Sequence, residues 1–153
     1  MKKLLVGIFA AGAISSCSVG DDTLPMPDNS GNNNNTNIVG VWKIQTQYQI
    51  SGTNKETVIA EKVPDDCKKQ GTYEFKNDGK YYMADYNNVD SVCKKTEATT
   101  PYEYNPAHMK LTIGSNVADV LELSSSKLVI LVATNEDYNG DGIKDYDKTV
   151  FYK

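Results

Sequence analysis

The chain contains no arginine. All 16 of its basic residues are lysines, set against 20 acids, for a formal net charge of −4 over 153 residues. Without guanidinium forks, bidentate clamps on phosphate or carboxylate are unavailable, so any anion must be met by lysine point charges or backbone amides. The acidic balance also argues against nucleic acid, which needs a clustered positive face. Histidine is nearly absent: the one copy, His108, follows Pro106 in a stretch that reads as a turn, with no serine or cysteine nucleophile at a recognisable spacing. No Gly-rich phosphate loop, Gly-x-Ser-x-Gly elbow or His-based zinc spacing occurs. Nothing among the acids selects two as a glycosidase pair. The expectation is a binding or accessory protein, not an enzyme. Long apolar runs are missing too, since the run over residues 4–14 is too short to cross a bilayer.

What that run does fit is a signal peptide: Lys2 and Lys3 precede it, and Ser15 and Ser16 separate it from Cys17. The sequence "ISSC" resembles the bacterial lipobox, in which a branched apolar residue and two small ones precede the cysteine that is acylated. The resemblance implies removal of residues 1–16 and a lipid on Cys17; an ordinary secretory signal with an incidental cysteine is the alternative. Lipobox proteins carry two or three acyl chains, which gives stable membrane anchoring where one chain would not. Losing Lys2 and Lys3 leaves 14 lysines against 20 acids, a net charge near −6.

Cysteine is scarce, and assigning Cys17 to lipid leaves Cys67 and Cys93 in a compartment where thiols oxidise. One structural disulfide is expected, with a redox or metal pair disfavoured by the long spacing and the lack of histidine. In the chain-entropy account its loop contributes about 3.5 kcal/mol.

Residues 18–37, "SVGDDTLPMPDNSGNNNNTN", hold almost nothing to bury and read, with Cys17, as a disordered linker over 17–37. As a flexible coil it spans about 25 Å root mean square. Asp21 and Asp22 resemble the acidic export signals of some Bacteroidetes lipoproteins, which implies an outer-membrane location, on the periplasmic face or at the cell surface.

The expected domain covers residues 38–153. Over 42–50, Trp42, Ile44, Thr46, Tyr48 and Ile50 alternate with Lys43, Gln45, Gln47 and Gln49, a period of two that predicts a strand with one dry and one wet face. Tyr73 and Phe75 alternate with polar neighbours, and Asn77, Asp78 and Gly79 turn the chain into residues 80–86, a hairpin. Further strands are expected around Leu111, Leu123 and Val150, while the wholly apolar residues 128–132 suit a strand covered on both faces. No segment sustains a helical period. About eight short antiparallel strands in so few residues predict an all-β fold, a barrel or sandwich.

"IVGVWKI" at residues 38–44 resembles the Gly-x-Trp opening of lipocalins, in which the tryptophan plugs the closed end of the barrel. The rest is similar to small lipocalin-like domains of Bacteroidetes lipoproteins, where a cysteine precedes a hairpin such as "TYEFKNDGKY" and a second follows it. Then come an aromatic-x-aromatic strand, here Tyr102 and Tyr104, an "L-x-I" strand, here Leu111 and Ile113, and an apolar strand at Leu128 and Ile130. The resemblance implies a small up-and-down β-barrel. At this length the interior holds one small ligand at most, or is filled by tyrosines.

Two features are candidate sites. "DYNGDGIKD" sets Asp137, Asn139, Asp141, the Ile143 carbonyl and Asp145 at alternate positions around Gly142, resembling the calcium loops of thrombospondin type 3 and dockerin repeats. Lys148 stands where an EF-hand has its bidentate Glu, and a metal-free Asn-Gly, Asp-Gly turn explains the same residues. Ten tyrosines are many for this length; Tyr81, Tyr102 and Tyr104, with Trp42, are candidates to line a ligand site, or else pack the core. The expected function is a membrane-anchored binding or accessory domain for a small apolar molecule, a glycan or a surface protein partner. The alternative is a solid-cored structural or adhesion subunit stabilised by calcium.

Overall fold

The computed structural model describes residues 38–153. The expected signal peptide, Cys17 and the expected linker lie outside the described residues. Nine strands form one antiparallel sheet: β1 (Gly40–Ile50), β2 (Val58–Lys62), β3 (Thr72–Phe75), β4 (Lys80–Val89), β5 (Val92–Asn105), β6 (Lys110–Ile113), β7 (Asn116–Leu123), β8 (Lys127–Ala133) and β9 (Tyr146–Tyr152). From β3 to β9 each strand pairs with the next, and β9 returns to β1, closing an eight-stranded barrel. The ninth strand, β2, continues along β1 beyond the point where β3 leaves it: β3 takes Gly40 to Trp42, β2 takes Gln47 to Ile50. A single 3-10 turn, Lys68–Gln70, sits between β2 and β3. Among the described residues, no helix is long and apolar enough to cross a membrane.

The predicted period of two in β1 is interrupted. Ile44 pairs with Phe151 but Thr46 pairs with Val150, so Gln45 is an extra residue, a β-bulge. Cross-strand partners share a face. Trp42 and Ile44 therefore face the interior with Phe151, and beyond the bulge it is Gln47 and Gln49 that face in, opposite Thr149 and Asp147. Thr46 and Tyr48 turn outward, where the Lys148 ammonium lies 4.6 Å from the Tyr48 ring. The even positions stay drier than the odd ones, but not because all of them line one core.

The core gathers at one end. Trp42, Ile38, Ile44, Tyr73, Phe75, Leu111, Ala118, Val120, Leu128 and Phe151 form one buried cluster. Trp42 has no exposed surface; its indole N–H donates to the Ile38 carbonyl at 2.7 Å, and the Lys153 ammonium lies 4.3 Å from its ring. Lys153 also donates to the Val39 carbonyl at 2.9 Å, so the last residue straps the entering chain beneath the tryptophan. This end is a sealed floor. Strand β8 is covered on both faces, as its unbroken apolar run predicts, with Leu128 facing in and Val129 and Leu131 buried on the outer side.

Candidate functional site

The other end of the barrel is built from polar rows above an apolar wall. Ladder register sets Ile130, Thr149, Gln47 and Lys62 side by side across β8, β9, β1 and β2, and above them Val132, Asp147, Gln49 and Ala60. On the opposite wall Met83 pairs with Ala98, Asp85 with Thr96 and Asn87 with Lys94. Met83, Ile130 and Val132 pack on the core yet remain half-buried, in contrast to the sealed residues around Trp42. The ladder neighbours of Ile130 and Val132 on β7, Val120 and Ala118, are buried, so the half-burial lies on the β4 and β8 sides of the interior. A cleft of about 240 Å³ opens at this end, lined by Gln47, Lys62, Val63, Pro64, Asp65, Lys68, Tyr86 and Asn87.

One polar cluster organises the mouth. The Tyr73 hydroxyl donates to Asp85 at 2.5 Å, and the Lys68 ammonium donates to the other Asp85 oxygen at 2.7 Å and to Asn87 Oδ1 at 3.3 Å. Burial works against the Asp85 charge, but hydrogen bonds from Lys68 and Tyr73 outweigh it and hold the carboxyl below its ordinary range. Burial, with the Asp85 charge beside them, pushes both the Tyr73 and the Tyr81 phenols above theirs, so each stays protonated at any physiological pH. Lys68 is positioned by its neighbour Cys67, which is bonded to Cys93 on β5 with Cα atoms 5.2 Å apart. The expected disulfide is therefore present. It fastens the 3-10 turn to the β4–β5 hairpin, where β3 no longer supports β4.

The Asp-rich loop lies at the same open end, between β8 and β9. The carboxylate of Asp137 accepts from the backbone N–H of Gly140, Asp141 and Gly142, and that of Asp141 accepts from Ile143. The Asn139 side-chain carbonyl accepts from Asp141 N–H. Asp145 is fully buried, with one oxygen accepting from Gly52 N–H at 2.7 Å and the other from Tyr138 N–H at 2.6 Å. Thr53 adds a bond to Asp141. A side chain at Gly52 is impossible, because its Cβ would stand 2.1 Å from the Lys144 carbonyl. These bonds shape the loop and lock it to the β1–β2 turn. Among the described residues, no three acidic, histidine or cysteine side chains converge as a metal cage.

Of the aromatic candidates, Tyr81 and Tyr102 pack on Phe75 with ring centroids 4.8 and 4.9 Å away. The Tyr102 hydroxyl donates to the Lys76 carbonyl, and that of Tyr104 to Met109 Sδ. Trp42 belongs to the floor and offers no surface. The structure brings Trp42, Tyr81, Tyr102 and Tyr104 onto one interior cluster and sets the Asp-rich loop apart from it, at the rim. Sequence reading missed Lys68, Asp85 and Gln47, which carry no motif: Lys68 and Asp85 are 17 residues apart, and Gln47 faces inward only because of the bulge.

Residues 38–130 match the model of the lipocalin-like domain family. The chain belongs to that family. Three solved structures are similar to the chain at low identity. Bovine odorant binding protein, as a deswapped triple mutant, is 16% identical with a TM-score of 0.42, covering 74% of this chain and 72% of its own. A dog lipocalin allergen is 14% identical with a TM-score of 0.42, covering 76% and 74%. Aphrodisin, a sex pheromone from female hamster, is 16% identical with a TM-score of 0.42, covering 76% and 75%. No curated protein matches significantly. In this lipocalin-like domain the mouth cluster depends on the Asp85 charge. Because the folded carboxyl titrates below its unfolded value, near 3.9, its contribution is complete above that pH and is lost as pH falls through the folded value. Asp85→Asn is expected to cost about 1–3 kcal/mol at pH 7. Urea midpoints should show that difference shrinking towards zero as the pH is lowered through the depressed folded value of Asp85, and a deficit unchanged by acid would contradict the charge-based account.

Proposed function

We propose that this protein is a lipid-anchored, outer-membrane lipocalin-like domain that takes a small apolar molecule at its open end. What carries the reading is one closed barrel whose Trp42 floor is sealed, with Met83, Ile130 and Val132 facing inward half-buried and a cleft lined by Gln47, Lys62 and Asn87 opening at the other end. An interior meant only for packing gains nothing by leaving inward aliphatic side chains partly wet, since each buried methylene contributes about 0.8 kcal/mol. Family membership supports the same reading, because lipocalin-like domains are in general binding proteins. The polar rim of Lys62, Gln47 and Asn87 would orient a ligand, and the apolar wall would supply its affinity.

Anchoring rests on the lipobox-like "ISSC" and Cys17. Radiolabelled palmitate should enter the wild-type chain and not Cys17→Ala; equal labelling of the two would remove the anchor from the account.

Ligand capture is read with N-phenyl-1-naphthylamine, a small neutral fluorescent apolar probe, on the Cys17→Ala protein. Saturable binding is expected, weakened roughly tenfold, about 1.4 kcal/mol, by Ala98→Phe, which adds a ring on the inward face opposite Met83. Absence of saturable binding, or equal binding by the variant, would instead favour a solid-cored structural subunit.

A further inference from the structure

Strand β5 has a free edge whose chemistry is complementary to itself. Over residues 92–100 it pairs with β4 on one side and, among the described residues, with nothing on the other, because β6 joins it only over residues 102–105. Which backbone groups are free follows from the β4–β5 turn. Asp90 and Ser91 both have positive φ, 53° and 65°, as a two-residue type I′ turn requires, and the flanking pair Val89 and Val92 is then hydrogen-bonded. Bonded and non-bonded pairs alternate along an antiparallel ladder. Val92, Lys94, Thr96, Ala98 and Thr100 therefore spend their N–H and C=O groups on β4, while Cys93, Lys95, Glu97 and Thr99 turn theirs outward. The next outward carbonyl, that of Pro101, accepts from Gly114 N–H at 2.9 Å across the start of β6, which fixes the phase independently.

An unbulged, proline-free row of unpaired backbone groups is a template for another strand. We propose that two copies of this chain pair through it, β5 against β5, antiparallel about a two-fold axis at Thr96. A register centred there opposes Cys93 to Thr99 of the second copy and Lys95 to its Glu97, so every outward residue meets another, and each pair exchanges two N–H···O=C bonds. The side chains agree. Lys95 and Glu97 lie on one exposed face and already pair at 2.5 Å within the strand, and across the axis each meets the opposite charge. Centring the ladder on Lys95 or on Glu97 would set like charges face to face, which is destabilising. The ladder has a natural stop at Pro101, which has no N–H and whose carbonyl is taken by Gly114. The hairpin arm is held out for the purpose by the Cys67–Cys93 bond and the Lys68–Asp85 pair.

Sedimentation velocity of the purified Cys17→Ala protein across a wide micromolar range tests this. The parent chain should show a concentration-dependent dimer. Glu97→Lys places lysine opposite lysine at both symmetric positions and should weaken the dimer by about tenfold or more, while the charge swap Lys95→Glu with Glu97→Lys should restore it. Thr99→Pro deletes an outward N–H that β4 does not use, so it should dissociate the dimer while keeping the melting midpoint of the parent chain measured at concentrations where the parent is monomeric. A parent chain that stays monomeric throughout, a Glu97→Lys dimer of undiminished strength, or a swap that fails to restore association would each overturn the proposal.

Discussion

Strand β1 carries hydrogen bonds to three other strands, and the barrel closes only because it does. Its first residues hold β3, its last hold β2, and its opposite edge holds β9 from Lys43 to Ile50. An antiparallel sheet left open would expose two rows of backbone donors and acceptors. The bulge at Gln45 makes the closure workable. It bends and twists β1 at the point where the interior changes from Trp42 and Ile44 below to Gln47 and Gln49 above. The same irregularity that closes the sheet also divides the interior into an apolar and a polar half.

The two ends are stabilised by different physics. At the closed end, aromatic and aliphatic surface is removed from water around Trp42, and Lys153 covers the indole face while its ammonium bonds the Val39 carbonyl. At the open end Ile50 and Asp145 are buried beneath the β1–β2 turn, and order across the mouth comes from clamps: Asp145 between Gly52 and Tyr138, Asp85 between Tyr73 and Lys68, and the Cys67–Cys93 bond. Each clamp joins residues distant in sequence, which holds the rim in place without filling it. An entrance can then stay accessible over a floor that does not.

Legibility in the sequence followed the apolar residues. Trp42 with Ile44, the Tyr73–Phe75 hairpin and the apolar run of β8 could be read because their partners in the core are apolar and the spacing records which face is dry. The upper half of the β4–β5 hairpin could not be read. Lys94, Lys95, Thr96 and Glu97 meet solvent, and nothing in their pattern distinguishes a strand from a loop. The inward turn of Gln47 was hidden as well, because a one-residue bulge leaves no trace in a period of two until the partner strand is known. The Asp-rich loop was legible as a turn, whereas the clamp from Asp145 to Gly52 spans 93 residues and no local spacing points to it.

The central claim is that one end of this barrel is sealed and that the seal is Trp42. Because it is the single tryptophan of the chain, its fluorescence reports on that end alone. Acrylamide titration of the folded protein should leave a blue-shifted emission nearly unquenched, with efficient quenching and a red shift only in denaturant. Quenching of the native protein as strong as that of the unfolded chain would mean that water reaches the floor, and the account of a barrel closed at that end would fail.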